Sequence, residues 1–309
     1  MKKTLLLVAL PLLLLSCDLS NLQILDGEKA SREKNTFVIT DAMEEPSSFT
    51  LLITGDQHFG RRDDGVYYAN DLFFSWVRQY QSQHTESEDH LTHMVSLGDS
   101  TNNSRKEEFQ AYRNFTLTLL EEGITTYSIK GNHDIRLASD GIALWKTYVD
   151  EYNYQGFSHR GVSFYLLDTA NRTLGRTQMH ELQDAVKRDS RPKLFFSHMP
   201  LYGNASLIYL VLGNTQEREN LIRLMVENSA KLFLSGHHHQ GDIWYSFRRT
   251  TSEFIAGAFH GRDSFIETTK PRWYLLHFDV PSNCITVVRY QVEKDQTVTE
   301  KLMETFPIE

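Results

Sequence analysis

Short apolar runs that are rich in β-branched and aromatic residues recur along the chain from residue 49 onward. Six of them are predicted strands: FTLLITG (49–55), LTHMVSLG (91–98), ITTYSIKG (124–131), VSFYLLD (162–168), KLFFSH (193–198) and KLFLSG (231–236). Apolar residues with helical spacing lie between several of these runs, as at Phe109, Tyr112 and Leu119 or at Met179, Leu182 and Val186. This alternation predicts βαβ units, in which helices cover a mixed or mostly parallel sheet.

The last part of the chain has a different pattern. The runs DIWYSF, SEFIAGAF, RWYLLHFDV and CITVVRYQV follow one another between residues 242 and 292 with short turns and no clear helix. This pattern predicts a meander or a second sheet. We therefore expect one α/β (α+β) domain over residues 47–302, followed by a C-terminal tail at 303–309.

The first residues have the composition of a targeting segment. MKKTLLLVALPLLLLSC has two lysines, then an apolar run from Leu5 to Leu15, and then Cys17, which is typical of a secretory signal. The run is shorter than the ~20 apolar residues that a membrane-spanning helix needs. Its ending resembles a bacterial lipoprotein signal, which implies cleavage after residue 16 and lipidation of Cys17. An ordinary cleaved signal peptide is the alternative interpretation.

Residues 17–46 are mixed in composition, and we interpret them as a tether from the lipidated Cys17, with TFVIT (36–40) as a short strand within it. The expected protein is thus exported and lipid-anchored to a bacterial membrane, on its periplasmic or outer surface. The formal net charge of -8 argues against binding to nucleic-acid polymers, because such binding needs a cationic surface.

Polar clusters follow five of the predicted strands directly. They are DQH at 56–58, Asp99, GNHD at 131–134, His198 and HHH at 237–239. In open α/β sheets, sites form where side chains from neighbouring strand ends converge. Each cluster is weak by itself, because Asp and Asn also favour turns and helix N-caps. The ordered set is the informative observation.

The residue types in these clusters are those of a metal site. Imidazole nitrogens, carboxylate oxygens and an amide oxygen suit borderline transition metals, and the set lacks the thiolates of structural zinc sites. Two metal ions are the natural count, because the candidate ligands outnumber those that one ion takes: Asp56, His58, Asp99, Asn132, His198, His237 and His239.

In this order, the motifs D-x-H, G-D, G-N-H-D, H and G-H-x-H resemble the signature of the calcineurin-like metallophosphoesterase superfamily, here in a bacterial lipoprotein. The resemblance spans about residues 50 to 240 and implies a four-layer α/β/β/α sandwich. It also implies a division of the ligands between two ions, bridged by Asp99. One ion takes Asp56, His58 and His239, and the other takes Asn132, His198 and His237.

The resemblance implies a phosphoric ester hydrolase that acts on a monoester or a diester. Two divalent ions, of Mn, Fe or Zn, would hold a bridging hydroxide that attacks phosphorus. His133 would be the general acid, or alternatively stabilise a phosphoryl oxygen, and Asp134 would orient its ring or tune its basicity. The alternative from another class is a non-catalytic metal-binding surface lipoprotein.

Purple acid phosphatases, which belong to the same superfamily, have a different pattern. They carry D-x-G where this chain has Asp56-x-His58, and a tyrosine ligand shortly after the G-D motif, whereas GDSTNNSR has none. An Fe(III)–tyrosinate centre is therefore not expected.

Three further residues carry hypotheses about the surroundings of the site. Tyr202 and Asn204, in the long segment after His198, are candidates for substrate binding. His260 follows a predicted strand, and we favour a structural role for it over a place at the rim.

The three consecutive histidines are expected to divide their roles. In an extended segment, side chains alternate in direction, so His237 and His239 would face the site and His238 would point away.

Overall fold

The structure is a computed structural model that describes residue 37 and residues 45–62, 65–135, 140–202, 211–247, 250–265 and 267–308. The expected signal peptide, the expected lipidation site Cys17, almost all of the expected tether and Asn204 lie outside these residues. Among the described residues, no helix has the length and the apolar character that crossing a membrane requires.

The described residues form fifteen strands and five helices. The strands are β1 (Phe49–Thr54), β2 (Val66–Tyr67), β3 (His93–Ser96), β4 (Thr125–Ser128), β5 (Gln155–His159), β6 (Val162–Leu166), β7 (Lys193–Ser197), β8 (Ala230–Ser235), β9 (Ile243–Phe247), β10 (Thr251–Ile255), β11 (Gly261–Asp263), β12 (Thr268–Thr269), β13 (Arg272–Asp279), β14 (Cys284–Val292) and β15 (Val298–Pro307). The helices are α1 (Asn70–Gln83), α2 (Lys106–Glu121), α3 (Gly141–Tyr148), α4 (Gly175–Arg188) and α5 (Thr215–Glu227). All six strands predicted between residues 49 and 236 are confirmed, as are the helices around Phe109 and Leu182.

Two six-stranded mixed sheets organise the fold. The first has the order β15-β14-β13-β1-β3-β4, in which β1, β3 and β4 are parallel and β13 to β15 are antiparallel. The second has the order β5-β6-β7-β8-β10-β9, with four parallel central strands and antiparallel edges. A small sheet joins β12, β11 and β2. The α/β class is therefore confirmed.

Buried side chains form three clusters that follow from the strand pattern. Inward-facing residues of both large sheets, such as Leu51 and Phe164, share one cluster. Alternate residues of the first sheet, such as Leu52, pack with α1 and α2 in a second cluster, and the other face of the second sheet packs with α4 and α5 in a third. Strands buried on both faces appear in sequence as continuous apolar runs. The predicted count of four layers stays a prediction.

The C-terminal strands confirm the meander at β13 to β15, exclude the alternative of a separate sheet, and correct the expected tail. They form no sheet of their own: β9 and β10 extend the second sheet, whereas β13 to β15 are a meander within the first. The tail expected at 303–309 is wrong as far as residue 307, because β15 continues to Pro307 and pairs with β14 along its whole length. Its side chains are mostly exposed, so an edge strand was not evident from its weak apolar pattern.

Candidate metal centre

Both sheets contribute strand ends to one site. The loops after β1, β3 and β4 come from the first sheet, and the loops after β7 and β8 come from the second. Backbone hydrogen bonds join these loops: His58 N donates to Asp99 O over 2.9 Å, and Gly236 N donates to His198 O over 3.2 Å. The strand-end residues that the sequence singles out are therefore brought together by the packing of two sheets.

Four of the candidate ligands have a left-handed backbone. Their φ angles are 52° at Asp56, 48° at His58, 51° at Asp99 and 69° at His237. This region is costly for residues other than glycine, and such residues concentrate at functional sites, where surrounding contacts hold them. The backbone at the strand ends is thus folded so that these side chains point to a common place.

Asp56, His58 and His239 form the first group of candidate ligands, and one side-chain atom of each lies within 4.8 Å of the others. His58 Nε2 lies 3.1 Å from His239 Nε2, and His239 Nε2 lies 3.6 Å from Asp56 Oδ1. Asp56 Oδ1 is buried and makes no hydrogen bond. A buried anionic oxygen without a donor is costly, and it faces ring nitrogens that could share a cation with it.

Asp99, His198 and His237 form the second group, and Asn132 completes it. His198 Nε2 lies 3.1 Å from His237 Nδ1 and 3.1 Å from Asn132 Oδ1. The other ring nitrogen of His198 donates to Leu97 O over 2.9 Å, so a backbone carbonyl fixes the ring.

One oxygen of Asp99 lies between the two groups. Its Oδ2 is 3.5 Å from His58 Nε2 and 3.3 Å from His198 Nε2, while Oδ1 accepts a hydrogen bond from His133 N over 2.8 Å. The carboxylate is therefore held through one oxygen, and the other faces both groups. This is the geometry that a bridging ligand needs.

The spacing of these atoms fits transition-metal ions. Two ligands that each lie about 2.1 Å from one ion, at tetrahedral or octahedral angles, are about 3.0–3.4 Å apart. The two pairs of histidine nitrogens, at 3.1 Å each, meet this requirement. The first group could thus hold one ion and the second group another.

Burial and charge set the protonation of the centre. Burial raises the pKa of Asp56 and lowers the pKa of His58 well below its ordinary value. Burial also opposes the charged forms of Asp99 and His198, but their attraction prevails: the pKa of Asp99 lies well below its usual range, and that of His198 rises to about 9. The centre thus combines buried carboxylates with imidazoles, which is an environment that favours a cation.

His133 lies beside His58 and Asp99 and is less buried than either of them. Its side chain is only partly buried, its ring centroid is 4.7 Å from that of His58, and its Nδ1 donates to Asn102 O over 2.7 Å. The Nε2 atom is then the one that can exchange a proton with a bound molecule.

Of the two roles expected of Asp134, orientation of the His133 ring is wrong, and tuning of its basicity stays a prediction. Its carboxylate accepts hydrogen bonds from Thr101 N, Thr101 Oγ1 and Gly131 N at 2.8–2.9 Å, and the carbonyl of Asn102 takes the place at the His133 ring. Burial raises the pKa of Asp134 to about 6. Asp134 therefore joins the loops after β3 and β4 and does not orient the ring.

The three consecutive histidines have different surroundings, and their roles as ligands stay a prediction. His237 belongs to the second group of ligands and His239 to the first, whereas His238 is buried with 4% exposure. The segment is a loop with a left-handed residue at His237, so the alternation argued from an extended strand does not apply. The turn itself sends the outer two side chains to the centre.

Two residues beside the centre complete its surroundings: His260, whose contacts fit the structural role favoured above, and Glu267, which sequence reasoning missed. His260 is fully buried, its Nδ1 donates to Asp56 O over 2.9 Å, and its ring lies 5.1 Å from that of His58. Glu267 contacts His239 Nδ1 at 2.6 Å. The position of His260 after a strand was a usable signal, but SFIETT contains no local sign of the role of Glu267.

The Tyr202 side chain packs against Phe247 and Arg218. Its ring centroid lies 5.7 Å from that of Phe247, and the Arg218 guanidinium lies 5.4 Å above it. Its backbone N donates to the buried Glu253 carboxylate over 3.1 Å. A part for Tyr202 in substrate binding stays a prediction.

Comparisons with known proteins agree with this geometry. The sequence model of the calcineurin-like phosphoesterase family matches residues 49–241. The chain belongs to the calcineurin-like phosphoesterase family. This membership indicates metal-dependent hydrolysis of phosphoesters at the level of the family. A search of curated proteins gives no significant match.

Solved structures share the fold at low sequence identity. GAP50, the anchor in the inner membrane complex of Plasmodium, is 13% identical with a TM-score of 0.58, and the match covers 84% of this chain and 88% of that chain. The purple acid phosphatase PPD1 from yellow lupin (Lupinus luteus) seeds is also 13% identical with a TM-score of 0.58, over 85% of this chain and 54% of that chain. These likenesses concern the fold alone.

Proposed function

We propose that this chain is a phosphoester hydrolase whose centre holds two divalent transition-metal ions, with His133 as general acid. The observation that carries the proposal is the place of Asp99 Oδ2, within 3.5 Å of a ring nitrogen from each ligand group. A non-catalytic metal-binding protein is not favoured, because the family is one of phosphoesterases and His133 is available beside the ligands.

Ions of Mn, Fe or Zn, when bound, would supply an activated water and neutralise the phosphoryl oxygens. The chain would supply the ligands that hold these ions. Asp56, His58 and His239 would hold one ion, and Asn132, His198 and His237 the other, with Asp99 shared between them. Because both sheets fix these side chains, little rearrangement is needed when the substrate binds.

His133 would transfer the proton to the departing oxygen. Its Nδ1 is engaged by the Asn102 carbonyl, so an imidazolium at this position would present its Nε2 proton to the leaving group. The backbone N–H of His133 donates a hydrogen bond to Asp99 Oδ1. The proposed general acid is therefore fixed beside Asp99, the ligand that both ions would share. This arrangement supports general acid catalysis.

The Asp99→Asn variant tests the shared ligand. It should lower the metal content of both positions and abolish metal-dependent hydrolysis of an aryl phosphate, since a neutral amide is a poor bridging ligand. Metal content is measured by mass spectrometry after dialysis. A variant that retains two ions per chain and full activity would refute the assignment.

The His133→Ala variant tests the general acid separately. It should keep both ions and lose rate, by about 10²–10⁴-fold, and the loss should be greatest for esters with poor leaving groups. An equal loss for good and poor leaving groups would favour the electrostatic role instead.

The histidine run provides a matched control. His238→Val should retain both ions and the activity, whereas His237→Ala and His239→Ala should each lower the occupancy of a different position. A phosphoester panel assayed with Mn, Fe(II), Zn and Ni then defines the preferred substrate class and metal.

We further propose that the protein is exported and anchored to a bacterial membrane by lipid on Cys17. The support is the sequence at residues 1–17. Metabolic labelling with a radioactive fatty acid should mark the wild-type protein and not the Cys17→Ser variant. Labelling of the variant would refute this site of attachment.

A further inference from the structure

We propose that Glu267 is a positioning residue that fixes the tautomer and the orientation of His239 at the first ligand group. The inference rests on the proposed function, because it concerns how tightly the chain would hold the first of the two ions. It concerns a residue outside the span 49–241 that matches the family.

The contact between Glu267 and His239 defines which ring nitrogen faces the centre. Glu267 Oε1 lies 2.6 Å from His239 Nδ1, while Nε2 of the same ring lies 3.1 Å from His58 Nε2 and 3.6 Å from Asp56 Oδ1. The carboxylate accepts a hydrogen bond from the Nδ1–H of this ring, so the proton stays on Nδ1 and the lone pair is left on Nε2. Metal-binding histidines are commonly oriented in this way, and an anionic partner raises the basicity of the ligand.

Two arginines hold the Glu267 carboxylate from its other side. Arg262 Nη1 lies 3.0 Å from Glu267 Oε2, and Arg61 Nη2 lies 3.8 Å from the same oxygen. Their side chains are only 15% and 11% exposed. The carboxylate is therefore held on one side by His239 and on the other by two cationic side chains that are not candidate ligands.

The backbone around Glu267 is also fixed. Glu267 follows the turn between β11 and β12, where Ser264 N donates to Glu267 O over 3.0 Å and Glu267 N donates to Ser264 Oγ over 3.2 Å. The small sheet that contains β11 and β12 also contains β2, which lies shortly after His58 in sequence. The hairpin thus places one carboxylate against a ligand 28 residues away.

His198 and His239 differ in the group that accepts the hydrogen bond from Nδ1. The Nδ1 of His198 is held by the carbonyl of Leu97, which fixes a ring without adding negative charge. His239 is held by a full carboxylate. Loss of the charge at Glu267 should therefore weaken the first metal position and spare the second.

The experiment titrates metal-free protein with Mn²⁺ by calorimetry and counts bound ions by mass spectrometry. Wild-type protein should bind two ions. We expect Glu267→Gln to weaken one position about 10-fold and Glu267→Ala up to about 100-fold, while the second position changes by less than about 3-fold. Glu267→Gln preserves the shape of the side chain, and circular dichroism verifies that each variant is folded.

Asp263→Asn is the matched control. Asp263 lies on the same hairpin and pairs with Lys294 at the surface, with side chains 58% and 76% exposed, so both Mn²⁺ affinities should stay at wild-type values. In a His239→Ala background, Glu267→Ala should have no additional effect, because the two residues act through one contact.

The outcomes separate the two proposals. Wild-type affinities at both positions in both Glu267 variants, or equal weakening of both positions, would overturn the role of Glu267 and leave the proposed function standing. Failure of the wild-type protein to bind a pair of ions would overturn the proposed function and this inference with it.

Discussion

Lys130→Met should destabilise the protein strongly, because Lys130 forms a buried ion pair between the two large sheets. Its Nζ lies 2.8 Å from Asp168 Oδ2, with side-chain exposures of 2% and 7%, and it also contacts Asn153 Oδ1. Lys130 follows β4 in the first sheet, and Asp168 follows β6 in the second. The pair therefore joins the sheets two residues before the candidate ligand Asn132.

The magnitude follows from the geometry. Two unit charges 2.8 Å apart attract by about 6 kcal/mol at an effective dielectric constant of about 20. Burial of both ions offsets much of this attraction in the wild-type protein. Removal of only one partner leaves Asp168 buried with the Ala170 N–H, 3.2 Å away, as a remaining donor, and such a loss costs about 3–5 kcal/mol. Typical proteins have unfolding free energies of about 5–15 kcal/mol.

Urea unfolding at pH 7, followed by tryptophan fluorescence and by circular dichroism, measures this change. Lys294→Met is the matched control, because its pair with Asp263 is exposed, and its stability should equal that of the wild type. Lys130→Met with Asp168→Leu should recover part of the loss, since no buried charge is left alone. A loss below about 1 kcal/mol in Lys130→Met would refute the reasoning, because buried pairs cost about 3–5 kcal/mol to break.

Three further predictions concern the pH dependence of stability, the space beside the Gly131 Cα and the removal of metal. Burial raises the pKa of the Glu253 carboxyl from 4.5 to about 8. The stability that its protonated form contributes is therefore fully present below about pH 4.5 and is lost as the pH rises through about 8. The free energy of unfolding should fall by at most about 1.4 kcal/mol per pH unit in this window. Urea unfolding from pH 5 to pH 8 should show a shallower decline in Glu253→Gln, and an identical slope would contradict this assignment. Gly131→Ala should lower metal content, because a Cβ there would overlap Asp99 N and Oδ1, and a folded variant with two bound ions would show that the loop can adapt. Chelation of the metal should lower the midpoint of thermal unfolding in a calorimetric scan. Ions that bind only the folded state stabilise it by about 2.7 kcal/mol when their concentration is 100 times their Kd. An unchanged midpoint would argue against a metal that is part of the native state.

The sequence alone determined the strand ends and the residues that they carry. Periodicity and composition are local, so FTLLIT and KLFLS could be recognised as strands without any tertiary contact. The chemistry of the candidate ligands was evident for the same reason, because each follows its strand directly. The α/β class and the meander at 272–292 also follow from such local patterns.

Contacts between distant segments were decided only by the tertiary structure. The carbonyl of Asn102 at the His133 ring, the carboxylate of Glu267 at His239 and the return of β13 beside β1 each depend on how the sheets are ordered. No local pattern specifies which loop a buried polar group will meet, because many pairings satisfy the same hydrogen-bonding requirement. In this protein the sequence determined which groups gather at the sheet ends, and the packing of two sheets decided the atoms that face one another.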